Sequence, residues 1–195
     1  GAFLLAELLQ QTHATVYCLV RAETPLDGMR RVEDALAQYD LSGLPLHRCV
    51  VVTGDLAREK LGLSENDYSL LAHAVQAIWH NGARVDHVLG YERLRASNVK
   101  GTAEVLRLAA AGTLKSVHFV STNATCFAVA RDSLTEQLPL PRAAHLVDGP
   151  LADEGLVNGY VRSKWVAEQL VVQAGVAGLS VTIHKPGRVL GSSVT

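Results

Sequence analysis

The chain has 195 residues, 48% hydrophobic and 19% charged, with a net charge of −1 at pH 7. That is enough apolar side chain for a full core in one domain or slightly more, which excludes a disordered chain. Near-neutral charge argues against a nucleic-acid partner, and no apolar run approaches the roughly 18–20 residues that cross a bilayer.

The first segment, GAFLLAELLQ, has helical periodicity over 2–11. It is short, lacks a basic leader and contains Glu7, which argues against a secretory signal. TVYCLVRA (15–22) follows as a continuous apolar run rich in β-branched residues. So are CVVVTGDL (49–56), AIWHNGA (77–83), SVHFVST (116–122) and SVTIHKPG (180–187). Continuous rather than alternating runs suit strands buried on both faces of a parallel sheet. Helical patterns fall between them at 26–39, 64–75, 98–111 and 160–174. Pro25 and Ser64 are start signals for two of these, and Gly112 and Gly175 are stops. Asn98 reads as the cap of its helix and could also tie strand ends together. The segment 123–158 carries several Pro, Asp and Gly and reads as a long loop near the sites. Repeated β–α units predict a doubly wound α/β fold with a parallel sheet and right-handed crossovers.

The three cysteines, Cys18, Cys49 and Cys126, are widely spaced and odd in number. They read as free thiols of a reducing cytoplasm rather than a disulfide framework. The eight histidines show no HExxH pattern, so no metal site is expected.

In such sheets ligands bind beyond the carboxyl ends of the strands. Arg21, Asp55, Asn81, Thr122 and Pro186 all fall there. Arg21 at the first tip, with no acidic residue beside it, favours a 2′-phosphate and hence NADP(H); Arg30 or Arg31 would add a second contact. Asp55 would accept from an adenine amino group with Leu56 against the ring, although a turn or cap aspartate reads the same way. Asn81, Gly82 and Ala83 let the backbone approach a cofactor closely, or form an ordinary Asn-Gly turn.

GYVRSKWVAEQL (159–170) places Tyr160 and Lys164 four apart, on one helix face. A phenol is a poor acid at neutrality, and a nearby ammonium would pull its pKa down. The preceding strand delivers Ser121 and Thr122, hydroxyls able to hold a substrate carbonyl.

Taken in order, LVRA, GDL, HNGA, NVKGT, FVST, GYVRSKWVAEQL and KPGRVLG resemble the extended short-chain dehydrogenase/reductase family. Within it the chain is most similar to the thioester reductase domains that end some nonribosomal peptide and polyketide synthases. The resemblance spans nearly the whole chain. It implies a Rossmann-like domain over 1–195 that is part of a larger reductase domain. It implies a Thr-Tyr-Lys triad of Thr122, Tyr160 and Lys164, with NADPH as hydride donor. Arg21 and Arg31 would read the phosphate, and Asp55, Leu56 and Asn81–Ala83 would form the adenosine and ribose wall. Pro186 would lie beside the nicotinamide, and Ser121, Tyr160 and Lys164 would also contact the cofactor. The partner implied is an acyl or peptidyl carrier protein with its substrate on phosphopantetheine.

Two features depart from the family pattern. STNATCF is about one residue longer than the usual turn, so Thr125 or Asn123 could hold the carbonyl instead of Thr122. Lys185 stands where the family usually has arginine, with little consequence expected. At the start, the resemblance makes Gly1 the last glycine of a phosphate-binding turn. The central strand would then precede it, and its absence would leave the second and fourth strands with unpaired facing edges. Residues upstream are therefore expected, together with a mostly helical substrate-binding region after VLGSSVT. The competing readings are an NAD-dependent sugar-nucleotide epimerase or dehydratase, and an NADP-binding sensor without catalysis.

Overall fold

The computed structural model describes residues 1–128 and 158–187. Strands and helices alternate along it: α1 (Ala2–Gln11), β1 (Val16–Val20), α2 (Pro25–Ala37), β2 (Cys49–Thr53), α3 (Glu65–Ala74), β3 (Ala77–His80), α4 (Tyr91–Arg95), α5 (Gly101–Ala110), β4 (Ser116–Val120), α6 (Gly159–Val176) and β5 (Val181–His184). All strand pairs are parallel. β1 pairs with β2, Val16 opposite Cys49. β3, β4 and β5 form a second sheet in that order, with Ala77 opposite Ser116 and Val117 opposite Val181. Among the described residues β1 and β3 each pair on one side only, and the two sheets share no ladder. Each of the two orders, β2-β1 and β3-β4-β5, is a run of neighbours found in a doubly wound sheet.

The helices cover the strands as the apolar periodicity requires. Leu5 and Leu9 of α1 and Leu36 of α2 close over Cys49, with Val16 and Cys18 beside them. Leu71 and Ala72 of α3 join Val105 and Leu108 of α5 over Val52, with Tyr17 and Ile78 at the margin, so one cluster spans both sheets. Ala167 and Val171 of α6 bury Phe119 of β4 completely. Each such fully buried side chain contributes about 1.5–3 kcal/mol. The opposite face of the second sheet carries a stack: Trp79 lies 4.1 Å from His118, ring planes 9° apart, and 5.6 Å from His184.

Local signals set the helix starts. The Thr24 hydroxyl accepts from the Asp27 amide at 3.1 Å, with Pro25 in the first turn. Ser64 caps α3 in the same way through Asp67. Lys115, 1% exposed, donates to the carbonyls of Ala72, Ala111 and Thr113 at 2.6–2.8 Å, where α3 and α5 end. The three cysteines are free, as expected.

Three expectations need correction. The helix placed at 98–111 begins at Tyr91 and passes through a π-helical turn, Ala96–Lys100, into α5. Asn98 is thus interior rather than a cap. α6 runs through Gly175 and stops at Val176, where Gly178 supplies the left-handed φ of 101°. Of the long loop placed at 123–158, Asn123–Ala128 is a short 3₁₀ helix, and 129–157 lies outside the described residues.

Candidate active site

The carboxyl ends of β4 and β5 and the first turns of α6 converge. Asn158 starts α6, its side chain accepting from the Val161 amide at 2.9 Å. Gly159 follows because nothing larger fits: a Cβ there would lie 2.4 Å from the Gly90 carbonyl carbon and the Tyr91 amide. This close approach sets Tyr160 beside the loop before α4, its ring edge-on to His87 at 5.5 Å between centroids. Tyr160 is half-buried, and burial pushes its pKa up.

Lys164, one turn on, is 3% exposed. Its Nζ donates to the Val120 carbonyl at 2.7 Å and lies 4.2 Å from the centre of the Phe119 ring. Desolvation lowers its pKa from 10.5 to about 8, with Glu168 opposing the shift. The expected acidification of Tyr160 is therefore not what this geometry produces. A buried ammonium must find an acceptor, and Lys164 takes the strand-end carbonyl instead of facing the phenol. The same charge and deep burial drive His80 down to about 3, so it is neutral and pairs with the Thr102 hydroxyl at 3.0 Å.

The turn after β4 sorts the competing hydroxyls. The Ser121 hydroxyl donates to Glu168. The Thr125 hydroxyl, 1% exposed, faces Glu168 Oε1 at 2.7 Å and the Thr122 carbonyl at 2.8 Å. The Thr122 hydroxyl is half-buried and accepts only a long bond from the Ala124 amide, 3.3 Å. Asn123 is exposed, its amide tied to the Pro186 carbonyl at 3.2 Å. Pro186 is exposed in the extension of β5, across from this turn.

The residues expected to bind a dinucleotide lie at the other strand ends. Arg31 reaches back from α2 and donates to the Arg21 carbonyl, so the two arginines meet at the tip of β1. Arg30 instead pairs with Asp27 at 3.3 Å. Asp55 accepts from the Ala57 amide at 2.9 Å and so shapes its own turn. Its backbone amide donates to Leu61, a residue held at φ 60°. Leu56 leans on the backbone of Gly82: a Cβ there would lie 2.7 Å from Leu56 Cδ1. Asn81 and Gly82 are exposed and Ala83 half-buried. Gly1 is the exposed cap of α1, its carbonyl accepting from Leu5. A basic strand tip, a small-residue cradle and an apolar wall fit a nicotinamide dinucleotide.

Glu168 escaped the reading of the sequence, and Asn98 entered it only as a cap that could also tie strand ends together. Asn98, 2% exposed, accepts from the Arg84 amide at 2.8 Å and donates to the Arg84 carbonyl at 3.0 Å and the Ser163 hydroxyl at 2.9 Å. It ties the loop after β3 to α6. The π-helical turn was the missing signal, since it turns this side chain inward. Glu168, 4% exposed, gathers Ser121, Thr125 and, at 2.8 Å, Lys185. Its place at i+4 from Lys164 was visible, but its partners belong to other strands. Among the described residues no cluster of metal-ligating side chains occurs.

Parallel sheets of this order, with a Tyr-x-x-x-Lys helix beside the β4 end, define a Rossmann-like domain of the extended short-chain reductase type. The chain belongs to the NAD-binding family described as "Male sterility protein", whose model matches residues 1–195. It is similar to a linear gramicidin synthase protein of Brevibacillus parabrevis, 43% identical over 196 residues, which is all of this chain and 4% of that protein. Among solved structures it is similar to the terminal R domain from the myxalamid PKS-NRPS pathway. That match has a TM-score of 0.86 and 44% identity, covering 99% of this chain and 47% of that one. The reductase (R) domain of a nonribosomal peptide synthetase from Mycobacterium tuberculosis is also similar, with a TM-score of 0.73 and 30% identity over 96% of this chain and 45% of that one. The chain thus spans just under half of these solved domains and a small part of the synthase.

Proposed function

We propose that this chain is the cofactor-binding part of an NADPH-dependent reductase that releases an acyl or peptidyl thioester from a carrier protein as an aldehyde. The observation that carries the reading is the buried Lys164 anchored to the Val120 carbonyl at the β4 end, one helix turn from Tyr160, with Thr122 two residues beyond that carbonyl. The similar reductase domains of synthases support it. Arg21 and Arg31, joined at the β1 tip, would receive the 2′-phosphate and so favour NADPH over NADH. Leu56 and the Asn81–Ala83 cradle would hold the adenosine and ribose.

When bound, the cofactor supplies the hydride to the thioester carbonyl. Thr122 and Tyr160 would donate to the oxygen as it gains charge, preorganised stabilisation that contributes about 2.7–4 kcal/mol per donor. Tyr160 keeps its proton at neutrality because burial raises its pKa. It would therefore serve as the acid that delivers this proton to the oxyanion. Lys164 would hydrogen-bond the ribose and lie one turn from the phenolate left behind. The resulting hemithioacetal breaks its C–S bond, giving aldehyde and the pantetheine thiol. A second hydride would give the alcohol.

Replacing Tyr160 with Phe removes the acid and one donor. Thioester-dependent NADPH oxidation should fall by at least about 10³-fold, with NADPH binding nearly unchanged. Undiminished turnover would overturn the proposal.

A further inference from the structure

A carboxylate buried to 4% exposure costs several kcal/mol in lost solvation unless strong partners surround it. Glu168 has three, each from a different part of the site. Its Oε1 accepts from the Ser121 hydroxyl, at the end of β4, and from the Thr125 hydroxyl in the turn beyond, at 2.7 Å. Its Oε2 meets Lys185 Nζ at 2.8 Å, one residue before Pro186. The backbone adds two ties across the same gap: the Ser121 amide to the His184 carbonyl at 2.7 Å, and the Asn123 amide to the Pro186 carbonyl at 3.2 Å.

A hydroxyl has one proton. Ser121 spends its proton on Glu168, and Thr125 divides its proton between Glu168 and the Thr122 carbonyl. Among the described residues the Thr122 hydroxyl donates to nothing. Glu168 follows Tyr160 and Lys164 at successive intervals of four, on the same helix face. The helix that carries the acid therefore also grips the turn that carries the second donor.

We propose that Glu168 is a positioning residue of the reductive site: it occupies the Ser121 and Thr125 hydroxyls, fixes the turn to α6 and β5, and leaves Thr122 as the hydroxyl aimed at the substrate carbonyl. The inference rests on the reductase reading above. Lys185 is part of the device, because it neutralises the carboxylate and locks the strand end before Pro186 to the same helix. Glutamine in place of Glu168 keeps the size but sets an amide donor against a donor, the Lys185 ammonium or a hydroxyl, so the turn shifts.

The test is thioester-dependent NADPH oxidation by the full-length protein, with kcat, KM and the NADPH dissociation constant measured for wild type, Glu168→Gln, Thr122→Ala and the double variant. A displacement near 1 Å costs about 10²-fold, so Glu168→Gln should lower kcat by about that factor. NADPH affinity should stay within about threefold, since Thr122 is not a phosphate or adenosine contact. The double variant should be no slower than Thr122→Ala alone, because the two act through one hydroxyl. A purely structural tie would instead multiply the two losses. Should Glu168→Gln not unfold cooperatively, Thr125→Val carries the same test: a fall of about tenfold that vanishes in the Thr122→Ala background. An active wild type with an indifferent Glu168→Gln, or with multiplying losses, overturns this inference alone. A wild type that binds NADPH but ignores acyl thioesters overturns the reductase reading and this inference with it.

Discussion

Lys164 is held in a form that costs stability, and replacing it should make the protein both inert and harder to unfold. Burial lowers its pKa from 10.5 to about 8. At 1.36 kcal/mol per pH unit, this is a cost of about 3 kcal/mol for keeping the ammonium in the folded state. Methionine has similar length and no charge. It gives up the bond to the Val120 carbonyl, about 1 kcal/mol, and the contact with the Phe119 ring, about 0.5 kcal/mol. The net gain near pH 7 is then about 2 kcal/mol, or about 4–8 °C in Tm for a chain of this size. The folded pKa lies below the unfolded one, so the cost is complete below about pH 8 and fades as pH rises toward 10.5. At pH 9.5 about 1 kcal/mol of it remains, so the advantage of Lys164→Met should shrink by about 2 kcal/mol between pH 7 and 9.5. Thermal unfolding of both proteins at the two pH values measures this directly. A variant less stable than wild type at pH 7, or an advantage that ignores pH, would refute the reasoning.

Arg21→Ala and Arg31→Ala should each raise the KM for NADPH by roughly 10- to 100-fold, the range of one charge-assisted hydrogen bond, and leave that for NADH unchanged; parallel titration with the two cofactors checks it. Lys115→Met strips one donor group from three carbonyls, one buried and two at part-buried sites, at the ends of α3 and α5. Against the desolvation it relieves, it should destabilise the fold by about 2–4 kcal/mol, read from denaturant unfolding.

Much of the fold was legible. Every strand core lay inside its expected apolar run, although residues such as Leu19, Val50 and Trp79 leave one face partly exposed, and the start signals Pro25 and Ser64 stand at the beginnings of α2 and α3. That β1 and β3 each pair on one side only among the described residues is what the family resemblance led one to expect. α4 was missed because Gly90 starts it without a side-chain cap, and five residues give little periodicity. In the site, the type and spacing of Tyr160 and Lys164 were readable, but the direction of Lys164 was not. It depends on a carbonyl 44 residues away. Likewise the choice among Thr122, Asn123 and Thr125 turns on Glu168, 43 residues beyond Thr125. Spacing along a helix reports which side chains share a face; it cannot report which distant acceptor a buried charge will choose.

The stack of Trp79 on His118 gives the protein a built-in optical label. An indole lying flat on an imidazole at 4.1 Å loses emission when that ring is protonated. Burial and the neighbouring His184 hold the His118 pKa below its usual value, so the indole stays bright through neutrality and dims only in acid. Trp79 lies three residues before Gly82, on the strand that leads into the dinucleotide cradle. Its emission overlaps the absorption of a reduced nicotinamide, so energy transfer from this side chain would report cofactor arrival without any attached dye.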